Sequence, residues 1–208
     1  MSFFGRRATT TQARAGTAEN VTVTPAGAAA AFAAIGCPLF VNRYYKTQTS
    51  APATYALTVG QMRFTPLIVG RAAVLDRLGV AVQTAGAAGA VVRLGIYSDL
   101  NGKPDSLVLD AGTVDTTTTG AKEITISQSV SLGRYWLAAV AQVATSTVYC
   151  HNNAQSTPQV GMNTFDTNTA TWNEYQTPSV THTGALDATA PSTQHWNQAI
   201  VFWVRAAS

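Results

Sequence analysis

Ten carboxylates, three histidines and two cysteines are the side chains of this 208-residue chain that could support acid–base, metal or thiol chemistry. The histidines, His151, His182 and His195, stand at no HxH or HxxxH spacing, so they form no zinc-type ligand set. His151 directly follows Cys150, but neighbours on a strand point to opposite faces, which separates a thiol from the base that would activate it. Cys37 and Cys150 make no CxxC pair and read as two buried thiols, with one disulfide between them as the alternative. Among the carboxylates only Asp166 and Glu174 have aromatic company, in Trp172 and Tyr175. A glycosidase needs two carboxylates flanking a sugar, and sugar-binding sites use aromatic platforms beside acids and amides. Trp172, Tyr175 and Trp196 are therefore the candidate glycan or interface residues, against the commoner use of loop aromatics as core plugs. Asp99, Asn101 and Asp105 lack calcium-loop spacing and the closing Glu, and read as a polar turn. No GxGxxG, phosphate loop or GxSxG occurs. No catalytic residue, metal site or cofactor is expected.

The composition narrows the class of protein that could hold such residues. Apolar residues are 46% of the chain and charged residues 11%, against about 25% charged in an average domain. That pairing excludes a disordered chain, which is polar and highly charged, and a coiled coil, which is rich in Glu and Lys. Thr, at 30 residues, is the leading polar type, and its branched Cβ suits a pleated surface. A net charge of +3 comes from a small imbalance with no basic cluster, which argues against nucleic acid as a partner. Met1-Ser2-Phe3-Phe4-Gly5-Arg6-Arg7 is not followed by an apolar stretch, so no secretion signal is read. The longest apolar run, Ala26–Leu39, is too short and too broken by Gly and Pro to cross a bilayer. The expectation is a soluble chain made in the cytoplasm, with no membrane partner.

Two segments differ in pattern. Residues 1–51 hold Arg6, Arg7, Arg14, Arg43 and Lys46 against one acid, Glu19, and an Ala-rich run, Ala28–Ala34, that could make two helical turns. A helix so short is marginal alone. This stretch reads as an extended anchoring arm, with Arg6, Arg7 and Arg14 as candidate docking residues. From residue 52 to 208 the period is two. Strands are read at 56–59, 62–69, 78–82, 91–97, 122–128, 134–141 and 199–205. Pro66 cannot donate to a ladder, which places its strand at an edge or bulge. Ile124 and Ile126 face inward, and 134–141 is apolar on both faces, as in a central strand. Asn101-Gly102 and Pro104 mark a turn, 85–89 reads as a hairpin tip, and the stretch from Thr145 to Gln198 reads as loops with one or two short strands. Strands this close together without an amphipathic helix predict an all-β fold, an antiparallel jelly-roll-like β-sandwich with an extended N-terminal arm.

Val74-Leu75-Asp76-Arg77-Leu78-Gly79-Val80-Ala81-Val82-Gln83, Val92-Arg93-Leu94-Gly95-Ile96-Tyr97, Gly102-Lys103-Pro104, Leu107 to Val114 and Gly133-Arg134-Tyr135-Trp136-Leu137-Ala138 carry a resemblance. Over about residues 55–143 the chain resembles a β-sandwich module of minor tail, tail-fibre and decoration-type virion proteins of tailed bacteriophages. The resemblance implies a virion location and no chemistry of the chain's own. It also implies other virion structural proteins as partners and self-association, a trimer by analogy. Placement at the tail or fibre, decoration of the capsid or head, and recognition of a host surface glycan are the three roles it leaves open.

Overall fold

The structure is a computed structural model that describes residues 39–47, 53–151, 174–177, 182–196 and 198–207. Among these there is no helix; every regular element is a strand, and the strands form two antiparallel sheets. Sheet 1 holds β1 (Tyr44–Lys46), β2 (Ala53–Ala56), β4 (Ala73–Thr84), β7 (Gly120–Val130), β9 (Thr147–His151), β12 (Ala199–Ile200) and β13 (Phe202–Ala206). Its long central strand, β4, pairs with β13 on one edge and β7 on the other, and β1 flanks β13. Sheet 2 runs in the order β11 (Gln194–Trp196), β10 (Glu174–Gln176), β3 (Met62–Val69), β8 (Gly133–Gln142), β5 (Val91–Leu100), β6 (Lys103–Asp115). The expected all-β antiparallel sandwich is the fold.

Alternation builds the core. Leu75, Leu78, Val80, Val82, Phe202 and Val204 of sheet 1 meet Leu67, Val69, Leu94, Ile96, Leu137 and Ala139 of sheet 2. Ile124 and Ile126 pack against this cluster from β7, as their period-two spacing predicts. Each such side chain taken out of water stabilises the fold by about 1.5–3 kcal/mol before chain entropy is counted. Among the described residues Pro66 lies where β3 pairs only with β8; β10 reaches no farther along β3 than Arg63 and Phe64. The missing N–H therefore costs no ladder bond.

A second apolar layer lies on the outside of sheet 2. Met62, Phe64, Tyr97, Trp136, Ala138 and Val140 point away from the first core and are covered by Tyr175 and Leu186. Phe64 meets Tyr97 edge-on at 5.3 Å, and Trp136 meets Tyr175 at 5.2 Å. This is why 134–141 is apolar on both faces. The covering segment is held by hydrogen bonds from Leu186 N to Asp110 Oδ2 (3.0 Å), Tyr97 Oη to Asp187 O (2.8 Å) and Leu107 N to Ala188 O (2.9 Å). Leu186 sits over Gly95, where a Cβ would lie 2.2 Å from its Cδ1.

Three readings of the sequence need correction. Leu39 to Thr47, assigned to the arm, belong to the sandwich: Leu39 is buried, Tyr45 packs on the core, and β1 pairs with β13. A three-residue strand is too short to display a period, and its partner lies far along the chain. Residues 85–90 are no hairpin but carry the chain from β4 in sheet 1 to β5 in sheet 2; turn residues mark a reversal without naming the strand's partner. The closing strand is split at Val201 into β12 and β13, which pair with β9 and β4 respectively. Among the described residues the one two-residue hairpin is Asn101-Gly102, with φ of 53° and 81°, the left-handed pair that a type I′ turn requires. Arg6, Arg7, Arg14, Cys37 and the Ala28–Ala34 run lie outside the described residues.

Candidate functional site

Of the aromatic trio nominated from the sequence, the side chain of Tyr175 is described, and it is not exposed. Tyr175 is 2% exposed and packs on Trp136, so it plugs the second apolar layer, and a surface role for it is corrected here. Trp172 lies outside the described residues; Trp196 is placed only by its backbone in β11, opposite Glu174, whereas Tyr175 pairs with His195. Two of the described carboxylates, Asp110 and Asp99, are tied into the framework. Asp110 binds Arg93 at 2.9 Å, and Asp99 accepts from Trp136 Nε1 at 2.8 Å and from Gly102 N at 3.1 Å, which fixes the hairpin. Cys150 is buried. His151 is buried, and burial first, then the charge of Lys46, holds its pKa below the usual histidine value. Among the described residues no three His, Cys, Asp or Glu side chains converge as a metal site.

Exposed chemistry gathers instead on the outer face of sheet 1. Phe202 and Val204 point into the core, so alternation turns Trp203 and Arg205 outward. Cross-strand register then sets Lys46, Trp203, Gly79 and Glu123 in one row and Tyr44, Arg205, Arg77 and Thr125 in the next. Gly79 leaves the row low at its centre, and a Cβ there would lie 2.5 Å from the Lys122 carbonyl oxygen. The result is an open cleft of about 410 Å³ lined by Tyr44, Gly79, Ala121, Lys122, Glu123 and Trp203. Trp203 is 37% and Tyr44 44% exposed, high values for residues of this size held on a strand.

The polar groups of this face are fixed by one another. Tyr44 Oη donates to Glu123 Oε2 at 2.7 Å, and that bond first, then desolvation, raises the phenol pKa, so the hydroxyl stays protonated. Arg205 Nε and Nη2 bind Asp76 at 2.9 and 2.5 Å, and this bidentate bond holds the Asp76 carboxyl below the usual range. Arg77 Nε lies 3.4 Å from Glu123 Oε1. Arg77 and Arg205 are thus matched by Asp76 and Glu123. Lys122, paired opposite the inward Val80, is turned off this face; its Nζ donates to Thr118 Oγ1 and its charge helps hold the Asp115 carboxyl below the usual range.

A separate apolar surface caps one end of the sandwich. Phe40, Val41, Ile68, Leu100 and Leu132 are exposed. The registers Val41 with Ala206, Ala206 with Leu75, Ala73 with Val130 and Val69 with Gly133 place them at the same end. Residue 39 enters the sandwich there.

A comparison with protein-family models and with curated proteins finds no match to this chain. Of the residues missed from sequence, Trp203 was accessible: a Trp between two inward residues of a strand must face outward. Tyr44 carried no such signal, because only its pairing with Arg205 places it on the sheet.

Proposed function

We propose that the protein is a non-enzymatic structural component of a tailed-bacteriophage virion, seated at the tail or fibre and held there through its N-terminal segment. The observation that carries the reading is the apolar end cap. Phe40, Val41, Ile68, Leu100 and Leu132 stand exposed at the end from which residues 1–38 depart. Apolar side chains grouped in this way mark a protein contact, and a segment joined beside them delivers its own residues, Arg6, Arg7 and Arg14 included, to the same neighbour. The opposite end then projects. The scarcity of charge, 11% of residues, favours contacts between copies, since few ions must be desolvated. It supports a homo-oligomer, with a trimer as the stoichiometry to test. The resemblance over residues 55–143 supplies the virion setting.

The test is incorporation. A chain of residues 39–208 is expected to keep the unfolding transition of the full chain and to be absent from purified particles. Phe40→Ser with Leu132→Ser is expected to lower incorporation with residues 1–38 intact. Normal incorporation of the shortened chain overturns the anchoring claim. Copies per particle, measured by quantitative mass spectrometry, decide placement: a few support the tail or fibre, and hundreds place the protein on the capsid.

A further inference from the structure

From the hairpin between β5 and β6 we infer a modification site: Asn101 converts spontaneously through a succinimide to isoaspartate, and the Asp99 carboxylate is the latch that sets the rate. Asn101-Gly102 is the one Asn-Gly step in the chain. Glycine has no side chain to shield its backbone nitrogen, so that nitrogen can reach the carboxamide carbon before it. Asn101 is exposed, which admits the water that the second step consumes. Asn42 is the contrast: its backbone is also left-handed, at φ 59°, but Arg43 follows and hinders the nitrogen. In the first step the Gly102 nitrogen attacks Asn101 Cγ. The N–Cγ bond forms, the Cγ–Nδ2 bond breaks, and the Gly102 amide proton leaves with Nδ2 as ammonia. Water, the one co-reactant, then adds to either imide carbonyl. Opening at the backbone carbonyl leaves the chain running through Cγ, an isoaspartate; opening at the other gives aspartate.

The folded geometry opposes this attack. Gly102 N donates to Asp99 Oδ2 at 3.1 Å, and the loop is closed by the pairing of Leu100 with Lys103 and of Asp99 with Pro104. To reach Asn101 Cγ the Gly102 peptide must rotate and give up that bond. Asp99 cannot follow, because its Oδ1 is moored at 2.8 Å by Nε1 of the buried Trp136. Surrendering a hydrogen bond to a charged acceptor before the attack slows the reaction by about tenfold. The product acts at the apolar end of the sandwich. Conversion adds a carboxylate next to Leu100, which is exposed there, and between Asp99 and Asp105. Isoaspartate also lengthens the two-residue turn by one backbone carbon, which the type I′ geometry does not accommodate. Resting on the assembly reading, this makes the hairpin a clock: a chain that waits too long carries an unpaired charge to an apolar contact, where its burial is costly, and is left out of the particle.

The experiment ages the full chain in warm, mildly alkaline buffer and follows isoaspartate by peptide mapping with mass spectrometry. Conversion is expected at Asn101 and not at Asn42, with isoaspartate exceeding aspartate. Asp99→Asn keeps an acceptor for Trp136 and removes the carboxylate that faces Gly102; it is expected to convert about tenfold faster than the parent. Amide exchange along the rest of β5 and β6 is expected to be unchanged in it, which a merely loosened hairpin would not allow. Trp136→Phe keeps the packing but unmoors Asp99, and a smaller rise is expected. The parent chain in urea is expected to convert at least as fast as Asp99→Asn. No conversion at Asn101 in urea overturns the site. Equal rates in the parent and Asp99→Asn, or a rise matched by faster exchange throughout both strands, overturn the latch. For the clock, aged parent is expected to enter particles less than fresh parent, whereas Asn101→Gly, which suits the same turn, is expected to enter equally well fresh or aged. Equal entry of fresh and aged parent overturns the clock and leaves the assembly reading standing, since that reading is tested by fresh chains.

Discussion

Sheet 2 turns Met62, Phe64, Tyr97 and Trp136 outward and covers them with Tyr175 and Leu186; sheet 1 turns Tyr44 and Trp203 outward and leaves them to solvent, beside the partly buried, ion-paired Arg77 and Arg205. Each face also has a glycine that a side chain could not replace without collision. Over Gly95 the space is filled by Leu186; over Gly79 it is an open cleft. The same device, a gap in a pleated surface, serves packing on one side and access on the other. A Trp buried on a sheet face is part of the fold, and a Trp held exposed on the opposite face contributes little to it.

The largest test of that contrast is Trp136→Ala, which empties the centre of the covered face and strands Asp99; a loss of about 3–5 kcal/mol is expected from urea unfolding. Next is Asp110→Asn, which breaks the ion pair with Arg93 and weakens the bond from Leu186 N; about 1.5–3 kcal/mol should be lost. Burial pushes the Asp110 pKa upward, but the Arg93 hydrogen bond and the backbone N–H groups of Leu186 and Gly112 outweigh it, so the folded value is depressed. A depressed carboxylate contributes stability that is full above the unfolded pKa, about 3.9, and is lost as pH falls through the folded value. Urea midpoints from pH 7 to pH 3 should therefore fall less steeply in Asp110→Asn than in the parent.

Gly95→Ala should cost about 1–2 kcal/mol, because the new methyl meets Leu186 and lies 2.8 Å from the Leu109 carbonyl oxygen; faster amide exchange at residues 182–190 checks it. Smallest is Trp203→Ala, expected to shift stability by about 0.5 kcal/mol or less, the range of surface changes. A loss above about 2 kcal/mol would erase the distinction between the two faces.

How far this architecture is legible in sequence depends on whether a residue's role is local. Lys122 to Gln128 announce a half-buried strand by alternation, and Arg134 to Ala141 announce a central one by having no polar face. Asn101-Gly102 marks its hairpin through backbone chemistry. The sheet to which each strand belongs was not legible, since 85–90 and 116–119 carry turn residues whether the chain returns beside itself or crosses over. Nor was the cover on sheet 2, which rests on one Leu and one Tyr amid polar residues and on bonds to distant carbonyls. Trp203 was half legible: its outward direction follows from Phe202 and Val204, but its setting depends on Gly79 and Tyr44, more than a hundred residues away.

The crossover at Ala85–Ala90 lies at the end of the sandwich remote from the apolar cap, with Ala87 and Ala88 exposed at its tip and Gly89 in a left-handed turn at φ 82°. Gly86 is packed against Thr145, so the tip rests on a fixed base. A foreign peptide grafted between Ala87 and Ala88 would be presented outward, with neither the Tyr44–Trp203 cleft nor the apolar end in its way, which makes this turn a natural position for a displayed epitope or affinity tag.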